Sequence, residues 1–240
     1  MPTTTTMTRR RSVSTSRGAS RGTSRGTGPK DAIALIKADH AAVKTAMRSY
    51  ETLSPTALKR KRATAERIIR DLSIHAAIEE ELLYPAARKR LPDGSTLVSE
   101  AKTEHRQLKK LLDRLDKMDA DDPRADEMMA SVRRAVQQHV EEEEGSGGIL
   151  QGLRKEMSRD ELMTLGKELR AAKKVAPTRP HPNAPDSPPA NMIVGGAAAV
   201  VDRARDAVSG RGKARAPKKK ATARTRRSTS GSTMRSPSAR

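Results

Sequence analysis

An all-α fold is what this sequence of 240 residues predicts: an up-down antiparallel four-helix bundle with a short appended helix and disordered basic tails. Three features carry that expectation. Strand-like alternation of β-branched and aromatic residues is missing, and the chain has two Tyr, no Phe and no Trp. Apolar residues instead recur three and four apart through the middle of the chain, the period of a helix with one buried face. Short polar loops separate these stretches, which makes consecutive helices antiparallel neighbours.

The first helix is expected from about Asp31 to Leu53, with Ile33, Ile36, His40, Val43, Met47 and Tyr50 inward. Ser54 and Pro55 read as the cap and first residue of the second helix. Its inward stripe is Ala65, Ile68, Leu72, His75, Glu79, Leu82 and Ala86, with Pro85 expected to kink or end it. A start at Pro55 places His75 about 30 Å from the turn at ~1.5 Å per residue, against about 20 Å for His40. Levelling the two favours a later start, past Lys59-Arg60-Lys61-Arg62. The third helix runs from about Leu97 to Met118, burying Leu97, Ala101, His105, Leu108, Leu112 and Leu115. The fourth buries Ala125, Met129, Val132, Val136, His139 and Glu143 and stops at Gly145-Ser146-Gly147-Gly148. A fifth, shorter helix starts at Ser158 with a capping box to Glu161 and carries Leu162, Leu165 and Leu169.

Charge divides the chain. Of the net +20, the segment 1–29 supplies +6 and 176–240 supplies +11, leaving +3 on residues 30–175. The ends are rich in Ser, Thr, Gly, Pro and Ala and bury too little apolar surface to offset ordering entropy. The expected organisation is a basic tail at 1–29, the bundle at 30–175, and a Pro-rich linker with a second basic tail at 176–240. Without Cys there is no disulfide, thiolate chemistry or Cys-ligated metal. The longest apolar run, Met192 to Val201, is ten residues with two Gly, too short to span a bilayer, so no membrane partner is expected. No secretory signal is read at the N-terminus, and the expected compartment is the cytoplasm.

Four of the five His fall on the inward stripes, one per helix: His40, His75, His105 and His139. His75 is followed at i+4 by Glu79 and His139 by Glu143. Four residues turn a helix by ~400° and advance it ~6 Å, so each pair leaves nearly the same face. Unpaired carboxylates in a core cost several kcal/mol, and metal cations compensate them. The arrangement repeats, with 35 residues from His40 to His75 and 34 from His105 to His139. That two-fold pattern is what a binuclear centre between two helical hairpins needs. Ferritin-type bundles use Glu-x-x-His, and no His here has a Glu three residues before it.

These residues (His40, the run His75-Ala-Ala-Ile-Glu79-Glu80-Glu81-Leu82-Leu83-Tyr84-Pro85, Glu104-His105, and His139-Val-Glu-Glu-Glu143-Glu144) resemble the hemerythrin-like HHE cation-binding domain over about residues 30–153. The resemblance implies a non-haem di-iron bundle with two Fe per chain, oxo- or hydroxo-bridged. It makes His40, His75, His105 and His139 the imidazole ligands and Glu79 and Glu143 the bridging carboxylates; manganese suits the same donors. Two departures stand out. Oxygen-carrying relatives have a further His four residues after the third-helix one, where this chain has Lys109, and an Asp five residues after the last His, where it has Glu144. Residue 144 points ~140° away from His139, so Glu143 is the expected bridge. Glu80, Glu104, Glu142 and Glu144 are further candidate ligands.

With six donors and a bridging oxide, each six-coordinate iron keeps one open position. That favours turnover of hydrogen peroxide, or reaction with oxygen or nitric oxide, over reversible carriage. The alternatives are an iron or oxygen sensor or store that orders on metal binding, and a nucleic-acid-associated structural protein. The last rests on Arg211 to Arg240, which hold eleven bases and no acid and suit non-specific phosphate contacts. Tyr50 and Tyr84 read as core or boundary residues, His181 as solvated linker and Lys59 to Arg62 as a solvated helix start.

Overall fold

The structure, a computed structural model, describes residues 30–119, 121–184 and 190–209. The expected basic tail at 1–29 and the part 210–240 of the expected linker and tail at 176–240 lie outside the described residues, whereas Ala190–Ser209 of that stretch is a helix. Those described are helical, with no strand among them. α1 (Ala32–Glu51), α2 (Leu58–Ile78), α4 (Gly94–Lys117) and α5 (Ala125–Glu144) form the bundle. A π-helical turn at Glu79–Leu83 joins α2 to the short α3 (Tyr84–Arg90). α6 (Ile149–Glu156), α7 (Arg159–Lys173) and α8 (Ala190–Ser209) follow. None is long and apolar enough to cross a membrane.

The core is two apolar clusters with a polar layer between them. One cluster, around Met47, Ile68, Leu72, Leu112 and Val132, fills the end of the bundle near the α1–α2 loop. The other, around Ile36, Ile78, Tyr84, Val98, Leu150 and Leu169, fills the opposite end, where α3, α6 and α7 pack. The polar stripe positions fall at the boundary on every helix. His40 lies between Ile36 and Val43, and His105 between Ala101 and Leu108.

The second helix departs from expectation in two places. It starts at Leu58, between the two positions considered. Ser54 does not cap it: the Ser54 hydroxyl pairs with Thr56, and the Ala57 carbonyl takes the first helical bonds, from Arg60 and Lys61. The basic run is solvated only in its first half, where Lys59 and Arg60 are exposed. Lys61 is buried and donates to Asp126, which also accepts from the Tyr50 hydroxyl. Arg62 donates to the Asp116 and Met118 carbonyls at the end of α4, where a cation suits the helix terminus.

The second departure is the π-turn. Pro85 has no N–H and its ring clashes with the carbonyl four residues back. The chain absorbs this with one extra residue, the Tyr84 N–H donating to the Glu79 carbonyl five residues back. The inward face therefore shifts by one. Leu83 and Ala87 are buried where the unbroken period predicts Leu82 and Ala86, and consecutive residues Glu79 and Glu80 both point inward.

Beyond the bundle, α7 has the expected capping box at Ser158 and Glu161. The residues read as solvated linker are partly clasped by α8: Asp202 accepts from the Thr178 and Arg179 amides and pairs with His181 at 3.0 Å. α7 lies tight on the start of α1. A Cβ at Gly166 would stand 2.7 Å from the Ala32 nitrogen and 2.7 Å from the Lys30 carbonyl oxygen, both rigid backbone. Gly166→Ala is expected to lower stability by about 1–3 kcal/mol through this overpacking, read as a lower urea midpoint at unchanged helix content.

Candidate metal centre

The polar layer assembles from all four bundle helices. α1 brings His40, α2 brings His75, α4 brings His105 and α5 brings His139, each at most 4% exposed. Glu79, on the π-turn, and Glu143, in the last turn of α5, enter the same space at 0% and 2% exposure. All six residues singled out in the sequence thus come together. The ligating atoms of His40, His75, Glu79 and His139 lie within 4.8 Å of one another. His105 and Glu143 complete the layer. The His105 Nε2 is 3.4 Å from the Glu79 Oε2, and the Glu143 Oε2 is 3.7 Å from the His40 Nε2 and 3.8 Å from that of His139.

The layer has the two-fold order of the sequence repeat. The rings of His40 and His75 form one pair, with centroids 4.8 Å apart, and those of His105 and His139 form another, also 4.8 Å apart. Each carboxylate spans the pairs. Glu79 lies 3.1 Å from His75 and 3.4 Å from His105, while Glu143 lies between His40 and His139.

A ring of outer carboxylates sits behind the imidazoles. Glu144 meets the His40 Nδ1 at 2.8 Å, Glu80 meets the His105 Nδ1 at 3.0 Å, and Glu104 meets the His139 Nδ1 at 3.1 Å. Asp39 stands 3.9 Å from the His75 Nδ1. Each acid is the chain neighbour of one inward residue and serves an imidazole on the next helix. One residue turns a helix by ~100°, enough to aim the side chain at the neighbouring helix. Glu80, Glu104 and Glu144 therefore occupy the outer side of the rings, and Asp39 joins them. A carboxylate that accepts from Nδ1–H leaves the Nε2 lone pair facing inward. The signal was in the sequence, as an acid beside His40, Glu79, His105 and Glu143. Which ring each would serve depends on helix order and on the π-turn.

Tyr84, a core residue as read from the sequence, also touches this layer. Its hydroxyl is 3.1 Å from the His105 Nε2, and with the His105 proton on Nδ1 toward Glu80 the phenol is the donor.

Neither oxygen of Glu79 or Glu143, nor the His139 Nε2, has a hydrogen-bond partner, although all are buried. The Nε2 atoms of His40 and His75 face each other at 3.2 Å, which needs a proton or a cation between them. Burial pushes the His40 imidazole down to about 3, helped by the His75 charge, and pushes His75 and His105 down to about 4. Burial, reinforced by Glu143, holds the Glu79 carboxyl well above the usual range, and burial also raises Glu143. His139 is shifted up: against the downward push of burial, Glu143 and Glu104 favour its charged form. The layer presents three imidazoles held neutral, a fourth that favours its charged form, and carboxylates too deeply buried to carry charge unaided. Metal cations fit that donor set, and imidazole with carboxylate suits non-haem iron or manganese.

The signs give a pH prediction. His40, His75 and His105, shifted down, contribute stability that is present above about pH 6.5 and lost as pH falls toward their lowered values. Glu79 and Glu143, shifted up, contribute stability present below about pH 4.5 and lost as pH rises. His139, also shifted up, adds to the loss on the alkaline side. Chelator-treated protein should therefore be most stable near pH 6.5, where the two windows meet, and weaker at pH 7.5. Glu79→Gln should stabilise the chelated protein at pH 7.5, by about 1–3 kcal/mol, while losing the further stabilisation that metal gives the wild type. Urea unfolding at the two pH values, with and without metal, checks both signs.

Comparison with known proteins agrees with this geometry. The family model described as hemerythrin HHE cation binding domain matches residues 31–146. An uncharacterized hemerythrin-like protein from Schizosaccharomyces pombe is 32% identical over 141 residues, covering 57% of this chain and 66% of that protein. A DNA nickase from Nostoc is 29% identical over 106 residues, 44% of this chain but 29% of that protein. The matches thus span at most about two thirds of these relatives. Among solved structures, an HHE cation-binding domain-containing protein from Mycobacterium kansasii superposes with a TM-score of 0.51 at 23% identity, covering 60% of this chain and 86% of that one, which shows the shared fold. Through residues 31–146, with the buried His and Glu layer they enclose, the chain belongs to the hemerythrin HHE cation-binding domain family.

Proposed function

We propose that the polar layer holds two irons per chain and that the protein binds or turns over a small oxidant: hydrogen peroxide, oxygen or nitric oxide. One observation carries this reading. Two buried carboxylates each lie between imidazoles of opposite hairpins, and none of their four oxygens has a partner. His40, His75, His105 and His139 would hold the metals from the sides, and Glu79 and Glu143 would bridge them. When bound, the irons supply redox chemistry and positions at which an oxidant coordinates.

The chain's own groups prepare the site for that chemistry. Glu144, Glu80 and Glu104 orient the rings so that Nε2 faces inward. The apolar clusters on either side exclude bulk water. The Tyr84 hydroxyl, 3.1 Å from the His105 Nε2 while no metal takes that lone pair, keeps a proton donor beside the site. Lys109, at the position of the carriers' further imidazole, turns its ammonium to Glu80 at 2.7 Å and donates nothing to the centre. The donors therefore stay at six, which supports turnover over carriage.

Iron analysis of protein loaded without oxygen is expected to give two per chain, and His75→Ala or Glu79→Ala to lose at least one. Hydrogen peroxide should be consumed in proportion to iron content. Full iron retention in both variants would falsify the assignment, and a stable reversible oxygen adduct without peroxide turnover would point to a carrier.

A second reading concerns partners. Arg211 to Arg240 carry eleven bases, no acid and no aromatic, which supports non-specific contact with phosphate backbones without base stacking. Binding to duplex DNA should weaken steeply with salt, log K losing ~0.9 per phosphate neutralised. Deleting 211–240 should abolish most of it and leave iron content unchanged. Equal DNA affinity of the truncated and full-length proteins at low salt contradicts this reading.

A further inference from the structure

The two halves of the polar layer are alike in their inner residues and unlike in what stands behind them. In the His40–His75 half, both outer carboxylates carry a lysine. The Lys173 Nζ lies 2.6 Å from each oxygen of Asp39, and the Lys37 Nζ lies 3.3 Å from Glu144. In the His105–His139 half, Glu80 carries Lys109 at 2.7 Å. Glu104 carries none: it has no lysine or arginine partner among the described residues. Its neighbours are acids, Glu142 beside it and Glu100. Beyond Glu104 lies a surface cleft that Glu100, Glu141 and Glu142 also line.

The difference has a structural origin. Asp39 and Glu104 are equivalent in the repeat, each preceding the first His of its hairpin. Asp39 is compensated from outside the repeat, by the last residue of α7. Glu104 retains its charge behind the Nδ1 of His139, whose Nε2 is buried without a partner.

We infer that the appended helix makes the two halves electrostatically unequal, so that the His105–His139 half takes up the first divalent cation and the His40–His75 half the second. A uniform outer shell would fill both halves at similar concentration. An extra outer negative charge, a few ångströms behind one imidazole and only partly screened, strengthens cation binding there by roughly tenfold or more. Lys173 and Glu104 are positioning residues in this scheme: they set the order of filling and touch no metal. The inference rests on the proposed metal centre and adds an order of occupation to it.

The test is a titration of full-length, chelator-treated protein with Zn2+, a diamagnetic probe, followed through the histidine ring resonances. His181, which pairs with Asp202 and with none of the six inward residues, serves as the internal reference. The first equivalent is expected to move His105 and His139, and the second His40 and His75, with dissociation constants roughly tenfold or more apart. Lys173→Met, which uncovers Asp39, and Glu104→Gln, which removes the excess charge but keeps an acceptor for the His139 Nδ1–H, should each bring the two constants to within about threefold. All four rings moving together, the His40–His75 half moving first, or an order that survives both substitutions overturns the inference and leaves the metal centre standing. Failure to bind Zn2+, manganese or iron at all overturns the metal centre itself.

Discussion

The structure is organised around the cost of placing two carboxylates and four imidazoles between two apolar clusters. A buried charge without a partner is among the most expensive features a fold can carry. Carboxylates hydrogen-bond the outer nitrogens of three rings and Tyr84 reaches one inner nitrogen, while the buried oxygens of Glu79 and Glu143 find no partner. The fold therefore leaves at its centre a demand for positive charge that no lysine or arginine among the described residues meets. The cations nearby, Lys37, Lys109 and Lys173, all stand one carboxylate further out.

Much of the remaining architecture serves this layer. The apolar cluster at the α1–α2 end is closed by Asp126, which joins Tyr50 of α1 and Lys61 of α2 to the start of α5. At the other end α3, α6 and α7 add the apolar surface that a bare four-helix bundle lacks there, with Leu150, Leu153 and Leu169 fully buried. The π-turn at Pro85 places two consecutive glutamates inward, Glu79 to the centre and Glu80 to the outer nitrogen of His105. A regular helix separates neighbouring residues by ~100° and serves only one of these positions.

The helical class, the antiparallel order and the six inward residues were legible because each rests on local periodicity. His40, His75, His105 and His139 occupy positions that a 3.6-residue repeat would otherwise give to Leu or Val. Four features were not legible, because local periodicity does not carry them. The start of α2 is settled by Lys61 and Arg62 finding partners on α4 and α5. The one-residue shift to Leu83 and Ala87 follows from how the chain accommodates Pro85, read from the sequence as a kink or a stop and met instead by a π-turn. The role of Tyr84, adjacent to that proline, follows from the same shift. His181 was read from its prolines as solvated, yet its partner Asp202 lies 21 residues away on α8.

The central claim is that the polar layer is a site for two metal ions, and anomalous diffraction at the iron absorption edge from crystals of iron-loaded protein tests it most directly. The account predicts two anomalous peaks within the layer, one beside His40 and His75 and one beside His105 and His139, with Glu79 and Glu143 reaching both. A layer without anomalous signal in iron-replete crystals, or a single peak outside the six side chains, would contradict it.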